Sequence, residues 1–360
     1  MQAALLTEPQ KPLEMVDAKL ANPMPHEVLI RTVACGVCRS DLHFADGAFP
    51  HPLPTIPGHE AAGVVEKVGS EVTTVKPGDH VVSFFTVFCG SCDMCLSGHY
   101  TLCTSPAIRR AHDAPPRITL DGEPVTQFLN LSGYAEQMLV HENACVSIDR
   151  DMPLEKAALL GCAVLTGAGA VFRDCQLSPG ETVAVIGCGG IGLSAINAAK
   201  IAGAGRIVAI DPVASKRDLA LKIGATHAVD PTAEDAVKGL IKSTDGGFDY
   251  AIECVGQPAT AEMAWSILKR GGTATILGMI APGKSVSIPG PSFLTGKKLQ
   301  GSLLGSCVAP IDLPRLVQFY LRGQLDLDLM VAEEIRLDGI NGALDALRQG
   351  DSVRSVIRFD

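Results

Sequence analysis

Two patterns of apolar and polar positions divide the chain near Asp151. Before it, segments such as EVLIRTVAC, AAGVVEKVG and DHVVSFFTVF alternate or run apolar, are rich in β-branched residues and are separated by turn signals. After it, short apolar strands such as ETVAVIG and RIVAID alternate with helical patterns such as GLSAINAAKIAGA. The first pattern predicts a strand-rich domain, and the second predicts parallel βαβ units with right-handed crossovers.

Three further segments complete the pattern. The stretch MPLEKAALLGCAVLTGAGAVF, which begins at Met152, has helical spacing. The segment from Ser105 to Thr126 is polar and contains four prolines, so it predicts a long surface loop. From about residue 304, two helical patterns, DLPRLVQFYLRG and GINGALDALRQG, precede a strand-like SVIRF.

Composition and charge narrow the class of protein. The 360 residues are 47% hydrophobic and 19% charged, which suits about two globular domains. Lys and Arg number 30 against 39 Asp and Glu, a net charge of −9, so nucleic acid is not expected as a partner. The N-terminus lacks a basic region, and the longest uncharged stretch, 182–199, contains four glycines. We therefore expect a soluble cytoplasmic protein without a secretory signal or membrane partner.

A glycine-rich turn predicts a dinucleotide site. In VAVIGCGGIG a buried strand runs through a GxGxxG pattern into a helix, whose N-terminus attracts phosphate. The first glycine would permit the tight turn, the second would let backbone N–H groups approach a pyrophosphate, and the last would allow close helix–strand packing. A tight strand–helix turn without a ligand is the alternative. The glycines are Gly187, Gly189, Gly190 and Gly192.

The acidic residue at the end of the next strand favours NAD over NADP. Asp211 lies 19 residues after Gly192, where a carboxylate accepts the adenosine ribose hydroxyls and repels a 2′-phosphate. Arg217, six residues further on, is the residue that would favour NADP. We give the carboxylate more weight because it occupies the ribose position.

Twelve cysteines in an intracellular chain favour metal or redox chemistry over disulfides. Four of them follow the spacing C-x2-C-x2-C-x7-C, which lets four thiolates surround one tetrahedral zinc ion. A fully ligated zinc ion has no open position, so this site would be structural. The alternatives are redox thiols and an iron–sulfur cluster, although the ferredoxin pattern has three residues before its last cysteine. The four cysteines are Cys89, Cys92, Cys95 and Cys103.

Two short motifs contain zinc-type ligands but do not by themselves complete a site. Cys38 lies in GVCRSDLH and His59 lies in PGHE. Taken singly, a cysteine is more often a small buried apolar residue and a histidine more often a core residue. Two ligands are too few for a catalytic zinc site, which needs three and an open position.

The order of these motifs resembles that of the zinc-containing medium-chain alcohol dehydrogenases, in particular the animal and plant type and its bacterial aryl-alcohol relatives. The motifs that carry this resemblance are spread along the chain. They are CRSDLH, GHE, the four-cysteine loop, GC with TG at 161–167 and the glycine turn. The resemblance implies an α/β protein with a β-rich GroES-like catalytic domain at 1–163, completed by 304–360. It also implies a Rossmann domain with a doubly wound parallel sheet at 164–303. A homodimer is expected, because dimeric members keep an extended loop after the structural cysteines.

The resemblance also implies a catalytic zinc ion in addition to the structural one, which makes two zinc ions per chain. The cofactor it implies is NAD. The resemblance supplies Cys162 as the third ligand beside Cys38 and His59. Asp41 would orient His59, and Glu60 would be a nearby acid able to approach the metal. An ordinary turn carboxylate is the alternative role for Glu60.

The same resemblance assigns the proton relay and the cofactor contacts. An alcohol bound to zinc loses its proton near neutral pH, and Ser40 would pass that proton through the cofactor ribose to His43. Hydride would then move to the nicotinamide ring. The implied cofactor contacts are Arg39 and Arg354 at the pyrophosphate, Lys216 at the adenosine ribose and Thr166 at the nicotinamide.

By the same resemblance, the side chains at the positions of the alcohol pocket are all apolar, which predicts primary alcohols or aldehydes with an aromatic or terpenoid body. The second reading is a glutathione-dependent formaldehyde dehydrogenase, for which Arg109, Arg110 and Arg117 are the available cations. A non-catalytic NAD-binding protein is a third possibility. Cys188, in the glycine turn, has either a packing or a redox role, and packing is favoured. The pocket residues are Phe49, Phe85, Phe128, Leu129, Met279 and Leu303.

Overall fold

The structure is a computed structural model that describes residues 1–111, 113–244, 246–350 and 354–359. Its contacts divide the chain into two compact units. The first unit consists of Met1–Ala163, Val308–Gly323 and Met330–Asp360, and the second consists of Val164–Cys307 and Gln324–Leu329.

The strands and helices of both units, in chain order, have the following bounds. The strands are β1 (Gln2–Leu5), β2 (Glu14–Asp17), β3 (Lys19–Leu20), β4 (Glu27–Gly36), β5 (Thr55–Ile56), β6 (Ala61–Val68), β7 (His80–Ser83), β8 (Ile118–Leu120), β9 (Glu123–Gln127), β10 (Gln137–His141), β11 (Cys145–Ser147), β12 (Thr182–Ile186), β13 (Arg206–Ile210), β14 (His227–Val229), β15 (Phe248–Glu253), β16 (Leu268–Ile276), β17 (Lys298–Gly301), β18 (Glu333–Ile335) and β19 (Ser355–Arg358). The α-helices are α1 (Arg39–Ala45), α2 (Asp93–Leu96), α3 (Leu154–Ala157), α4 (Ala163–Gly169), α5 (Gly190–Ile201), α6 (Ala214–Ile223), α7 (Ala236–Ser243), α8 (Pro258–Ser266), α9 (Ala309–Leu321) and α10 (Ile340–Gln349). Short 3₁₀ segments are Tyr100–Leu102, Pro106–Ile108, Phe128–Asn130, Glu142–Ala144, Ala158–Gly161, Gly290–Thr295, Leu304–Ser306, Asp328–Met330 and Leu337–Gly339, and Ala170–Asp174 is a π-helix.

The first unit is built around strand β4, which is buried along almost its whole length. In its main sheet the strand order is β11-β7-β6-β4-β19-β18, and β10 also pairs with β4. Strands β4 and β6 are antiparallel, with Cys35 opposite Ala61. Cys38 comes two residues after the end of β4, and His59 comes two residues before the start of β6. The pairing therefore brings both motifs to the same edge of the sheet.

The second unit contains a parallel sheet with the strand order β14-β13-β12-β15-β16-β17. Counted from β12, this order is 3-2-1-4-5-6, the doubly wound arrangement that binds dinucleotides at the carboxyl ends of its strands. The central strands are apolar runs because helices cover both faces of such a sheet. The predicted α/β class, with a β-rich domain and a doubly wound parallel sheet, is confirmed.

The predicted long loop from Ser105 to Thr126 is wrong in its second half. Strands β8 and β9 form an antiparallel hairpin there, closed by Asp121 and Gly122 with φ angles of +51° and +92°. An Asp-Gly pair suits a two-residue hairpin turn because such turns need two positive φ angles. The prolines of this segment conceal that signal. His112, within the same segment, lies outside the described residues.

The predicted helix after Met152 is interrupted. Helix α3 passes into a 3₁₀ segment, and α4 begins only after Cys162, whose φ of −139° is not helical. A Cβ at Gly161 would lie 2.3 Å from the carbonyl oxygen of Ser83, so the chain here passes directly against strand β7. Among the described residues no single helix is long and apolar enough to cross a membrane, and only the bent pair 154–161 and 163–174 passes that test of length and composition.

Replacement by alanine should have opposite effects on the stability of the first unit at two of its glycines, Gly63 and Gly342. In strand β6 a Cβ at Gly63 would lie 2.2 Å from the carbonyl oxygen of Arg31 on β4, so Gly63→Ala should destabilise the unit by about 1–3 kcal/mol. In helix α10 a Cβ at Gly342 would meet no atom within 4 Å, so Gly342→Ala should stabilise it by about 0.5–1 kcal/mol. Thermal unfolding of both variants measures the two shifts, and a Gly63→Ala variant as stable as wild type would contradict this packing.

Candidate active site: a metal centre and a dinucleotide turn

Three side chains that are far apart in sequence converge at one buried point of the first unit. The sulfur atoms of Cys38 and Cys162 and a ring nitrogen of His59 lie within 4.8 Å of one another. His59 Nε2 is 3.2 Å from the Cys162 sulfur, and all three residues are buried. Two thiolates and an imidazole suit a zinc ion, and three protein ligands leave its fourth position open. The donor set therefore fits a catalytic zinc ion.

The fold explains this convergence. The pairing of β4 with β6 places Cys38 and His59 at one edge of the sheet. Cys162 occupies the break between the 3₁₀ segment and α4, so its side chain leaves the helical path. Strand β19 is antiparallel to β4, with Val356 opposite Gly36, which brings Arg354 to the same edge.

The carboxylate of Asp41 orients the histidine ligand. Its Oδ1 lies 2.7 Å from Nδ1 of His59 and accepts the N–H of Gly58 at 3.2 Å. Its Oδ2 accepts the N–H of Cys38 at 3.1 Å and the hydroxyl of Tyr134 at 2.9 Å. A carboxylate on Nδ1 holds the proton there and leaves Nε2 for a metal ion. Asp41 thus occupies the position that the resemblance implies for it.

Electrostatics in the cluster place a thiolate at Cys38 and keep the protons on Cys162 and His59. The hydrogen bond between the two thiols lowers the pKa of Cys38 well below its usual value and raises that of Cys162 well above it. The guanidinium of Arg354 lowers the pKa of Cys38 further. Burial opposes a charge on His59, but Asp41 and Cys38 outweigh it and raise the pKa of that ring. The Cys38 thiolate is already in the form that binds a metal ion, whereas a metal ion would have to displace the protons held by His59 and Cys162.

Glu60 and Arg354 pair with each other beside the metal ligands. Oε2 of Glu60 lies 2.9 Å from Nη1 of Arg354, and its Oε1 accepts the N–H of Ala163 at 3.0 Å. Arg354 is 4% exposed and also donates to the carbonyl of Val37 at 3.2 Å. Burial raises the pKa of Glu60 to about 7, against the lowering effect of Arg354. The structure does not bring Glu60 into the group of converging ligand atoms.

The four-cysteine loop forms a second metal-type cluster in the first unit. Its sulfur atoms all lie within 4.8 Å of one another, with separations of 3.6 Å from Cys92 to Cys95, 3.8 Å from Cys92 to Cys103 and 3.9 Å from Cys89 to Cys95. Four sulfurs bound to one zinc ion at about 2.3 Å must lie about 3.8 Å apart. The separations therefore fit one tetrahedral ion and leave no room for an iron–sulfur cluster. Backbone N–H groups, chiefly that of Ser91, lower the pKa of Cys89 to about 5.

The proposed relay residues lie on helix α1, which begins directly after Cys38. Ser40 and His43 are three residues apart, so they share one face of this helix, and both are half-buried. Burial and the neighbouring charge of Arg39 lower the pKa of His43. Arg39 itself is exposed. His43 is therefore neutral near pH 7 and able to accept a proton.

Aromatic rings surround the histidine ligand. The ring centroids of Phe85 and Phe128 lie 5.7 and 6.2 Å from that of His59. Phe128 in turn contacts Phe44 and His51, with centroids 5.0 and 5.1 Å away. Sequence reasoning missed Phe44 and His51, although the aromatic residues concentrated between positions 44 and 51 were a signal for them.

The other residues expected at the pocket are distributed over both units. Phe49 lies 6.1 Å from the ring of His43, and Leu129 is next to Phe128 with a φ of +45°. Met279 and Leu303 belong to the second unit, where Leu303 is 44% exposed. Phe49 joins the aromatic group of the first unit, because its ring centroid lies 5.9 Å from that of Phe44.

The glycine turn of the second unit has the shape that a dinucleotide needs. Gly187 has a φ of +91°, which favours glycine, and a Cβ at Gly192 would lie 1.8 Å from the carbonyl oxygen of Gly187. A Cβ at Gly189 would meet no atom within 4 Å, so this position faces open space at the start of α5. The turn is therefore tightly packed at Gly187 and Gly192 and open at Gly189, where a pyrophosphate can approach the backbone.

Asp211 and Arg217 are both engaged near this turn. The carboxylate of Asp211 accepts the N–H of Cys188 at 2.8 Å and that of Val213 at 2.9 Å, so it lies directly beside the glycines. Arg217 donates to the carbonyl of Asp211 at 2.7 Å and pairs with Asp230 at 3.1 Å. These bonds hold its guanidinium near the backbone and an acid of its own unit.

The remaining residues assigned to the cofactor lie on helices of the second unit. Lys216 is half-buried on α6, and Thr166 is buried on α4. Cys188 is fully buried, and burial raises its pKa to about 12. A buried thiol with a raised pKa is unreactive, which favours packing over redox chemistry at this position.

Comparisons with known proteins cover both units. The family model of the alcohol dehydrogenase GroES-like domain matches residues 24–150, and that of zinc-binding dehydrogenases matches residues 190–322. A curated relative, an S-(hydroxymethyl)glutathione dehydrogenase of Escherichia coli O139:H28 (strain E24377A / ETEC), is 37% identical over 99% of both chains.

Solved structures agree with these matches. A zinc-binding-domain alcohol dehydrogenase protein from Burkholderia ambifaria superimposes with a TM-score of 0.95 at 36% identity, over 100% of this chain and 98% of that one. Benzyl alcohol dehydrogenase from Acinetobacter calcoaceticus gives 0.94 at 31% identity, over 100% and 99%. A zinc-binding dehydrogenase from Sinorhizobium meliloti 1021, bound to NADP, gives 0.82 at 28% identity, over 99% of both chains. The resemblance read from the motifs is thereby confirmed, and the chain belongs to the zinc-containing medium-chain alcohol dehydrogenase family of oxidoreductases.

Proposed function

We propose that the chain is an NAD-dependent alcohol dehydrogenase that interconverts primary alcohols bearing a bulky apolar or aromatic body with their aldehydes. The observation that carries this proposal is the aromatic group around His59, formed by Phe85, Phe128 and Phe44. An apolar wall beside the metal ligands favours an aromatic body and leaves the charged groups of a polar substrate unpaired.

In this proposal Cys38, His59 and Cys162 hold the catalytic zinc ion. A zinc ion held by these three residues would act as a Lewis acid that lowers the pKa of a bound alcohol toward neutral pH. Asp41 keeps the proton of His59 on Nδ1 and so keeps Nε2 available. Ser40 takes up the substrate proton, and His43 releases it to solvent.

Asp211 and Arg217 support NAD as the preferred cofactor. The Asp211 carboxylate lies against the glycine turn, where it repels a 2′-phosphate. Arg217 is held by backbone carbonyls and by Asp230, so reaching a 2′-phosphate would require it to give up these bonds.

The second candidate substrate is S-(hydroxymethyl)glutathione, favoured by the curated relative that is 37% identical. Such a substrate needs cations to bind its carboxylates. Of the three arginines near the hairpin, Arg110 and Arg117 pair with buried Glu27 at 3.0 and 2.8 Å, and Arg109 is exposed. Two of the three are thus engaged within the fold, which favours the apolar alcohol.

We also propose that the enzyme is a cytoplasmic homodimer that associates through the edge of its parallel sheet. Strand β17 is the last strand of that sheet, and large apolar side chains next to it are exposed. Their exposed fractions are 51% for Phe293, 88% for Leu294 and 38% for Leu299. A row of free strand groups beside an apolar patch is a template for pairing with a second copy. A reducing compartment is expected because six thiol ligands must stay reduced to bind zinc.

The substrate proposal is tested by steady-state kinetics of the purified enzyme with NAD⁺ and NADP⁺. We expect kcat/KM for benzyl alcohol or geraniol to exceed that for S-(hydroxymethyl)glutathione by about 10-fold or more, because each unpaired polar group reduces transition-state binding. NAD⁺ should be preferred over NADP⁺. A higher value for S-(hydroxymethyl)glutathione would establish the second candidate, and NADH formation with none of these substrates would leave only cofactor binding.

The relay predicts a pH-dependent defect in His43→Gln. Because the pKa of His43 lies below its usual value of 6.5, the wild-type ring accepts protons throughout the neutral range. The variant should lose about 10-fold or more of its alcohol oxidation rate at pH 7, and less at pH 9, where hydroxide can take the proton. His227→Gln, at an exposed position of the second unit, is the control. A His43→Gln profile parallel to that of wild type would exclude the relay.

The interface predicts that Leu294→Asp yields monomers. Placing a charge at an apolar contact costs several kcal/mol when the contact is buried, so the dimer should dissociate at micromolar concentration. Leu221→Asp, on helix α6 at a side chain 44% exposed, is the matched control and should not change the mass. Sedimentation velocity gives the outcome, and a dimer that survives Leu294→Asp would place the interface elsewhere.

A further inference from the structure

Tyr134 takes no part in the proposed proton transfer through Ser40 and His43. It nevertheless lies one side chain away from the zinc ligand His59. Among the described residues it is the largest side chain that is fully buried. Its hydroxyl donates to Oδ2 of Asp41 at 2.9 Å, and Oδ1 of the same carboxylate lies 2.7 Å from His59 Nδ1. The phenol is therefore connected to His59 through a single carboxylate.

The backbone at Tyr134 contacts the segment that precedes His59. The N–H of Tyr134 donates to the carbonyl of Pro57 at 2.9 Å, and that of Gly133 donates to the carbonyl of Gly58 at 2.7 Å. Gly58 has a φ of +94°, and a Cβ there would lie 2.5 Å from the Tyr134 ring. These backbone bonds to the segment that carries Tyr134 thus fix the position of the backbone that leads into His59.

The hydroxyl matters because Asp41 has no access to water. The carboxyl group is 1% exposed, so each of its oxygens depends on protein donors. Without the phenol, the one donor left to Oδ2 among the described residues would be the N–H of Cys38 at 3.1 Å. An under-bonded buried carboxylate moves to recover a donor, and any such movement changes its bond to His59.

We propose that Tyr134 is a positioning residue of the catalytic metal centre, which fixes His59 through its backbone bond to Pro57 and through its hydroxyl bond to Asp41. The inference rests on the proposed zinc site of Cys38, His59 and Cys162. Burial and the nearby carboxylate raise the pKa of Tyr134 well above its usual value, so the phenol remains a donor at every working pH.

A purely structural role for this buried ring is the competing explanation, and metal release separates the two. Tyr134→Phe keeps the ring and removes only the hydroxyl. We expect its catalytic zinc ion to dissociate about 10-fold faster into a chromophoric chelator, at the low end of the roughly 10–100-fold effect of losing an outer partner of a histidine ligand, because Tyr134 acts through Asp41. The zinc ion of the four-cysteine cluster, in the same chain, should dissociate at the wild-type rate and is the internal reference.

The matched control is Tyr250→Phe. Tyr250 lies half-buried on β15 of the second unit, where burial and the charge of Glu181 raise its pKa to about 12, so the change removes a tyrosine hydroxyl near an acid but away from the zinc ligands. Both zinc ions of this variant should be released at wild-type rates. Cobalt substitution gives a second readout, because the visible bands of Co²⁺ should shift in Tyr134→Phe and stay unchanged in Tyr250→Phe.

The outcomes distinguish failure of the proposed zinc site from failure of the role proposed for Tyr134. A wild-type enzyme that holds a single zinc ion per chain would overturn the proposed site itself. Two zinc ions in wild type, with release rates and cobalt bands unchanged in folded Tyr134→Phe, would overturn the role of Tyr134 and leave the site standing. If Tyr134→Phe does not fold, tyrosine-labelled wild type serves instead: removing the metal should shift the Cζ resonance of Tyr134 and not that of Tyr250, and an unmoved Tyr134 resonance would overturn the inference.

Discussion

The bond between the carboxylate of Asp41 and the ring of His59 is the interaction on which the metal centre depends. It is 2.7 Å long and buried, and the same carboxylate accepts the backbone N–H groups of Cys38 and Gly58. One acidic side chain therefore holds the two local motifs of the site in fixed register. Because a zinc ion tolerates little displacement of its ligands, this register decides whether the cluster can bind it.

The sheet of the first unit supplies the rest of the geometry. Strands β4 and β6 bring Cys38 and His59 to one edge, β19 adds Arg354, and the interrupted helix after Gly161 turns Cys162 toward them. The buried cation Arg354 offsets the negative charge that Glu60 and Cys38 place in the interior of the first unit. The site is thus a product of long-range strand pairing, whereas the four-cysteine cluster and the glycine turn are each formed by one short segment.

That difference explains what could be predicted from sequence. The glycine turn and the four-cysteine cluster are each formed by residues close together in sequence, so their spacing indicates both the geometry of the site and its ligand. Cys162 came only from the family resemblance, because no spacing rule relates a break between helices to a histidine 103 positions away. The pairing of Glu60 with Arg354 and the bond from Tyr134 to Asp41 depend on tertiary contacts and could not be read from the chain. The hairpin at Asp121 had a local signal, hidden by neighbouring prolines.

Anomalous diffraction at the zinc absorption edge, from crystals of the purified enzyme, tests the central claim most directly. We expect two peaks per chain, one among the sulfurs of Cys38 and Cys162 and Nε2 of His59, and one within the four-cysteine cluster. A single peak at the four-cysteine cluster, with the other three side chains bonded only to one another, would contradict this claim.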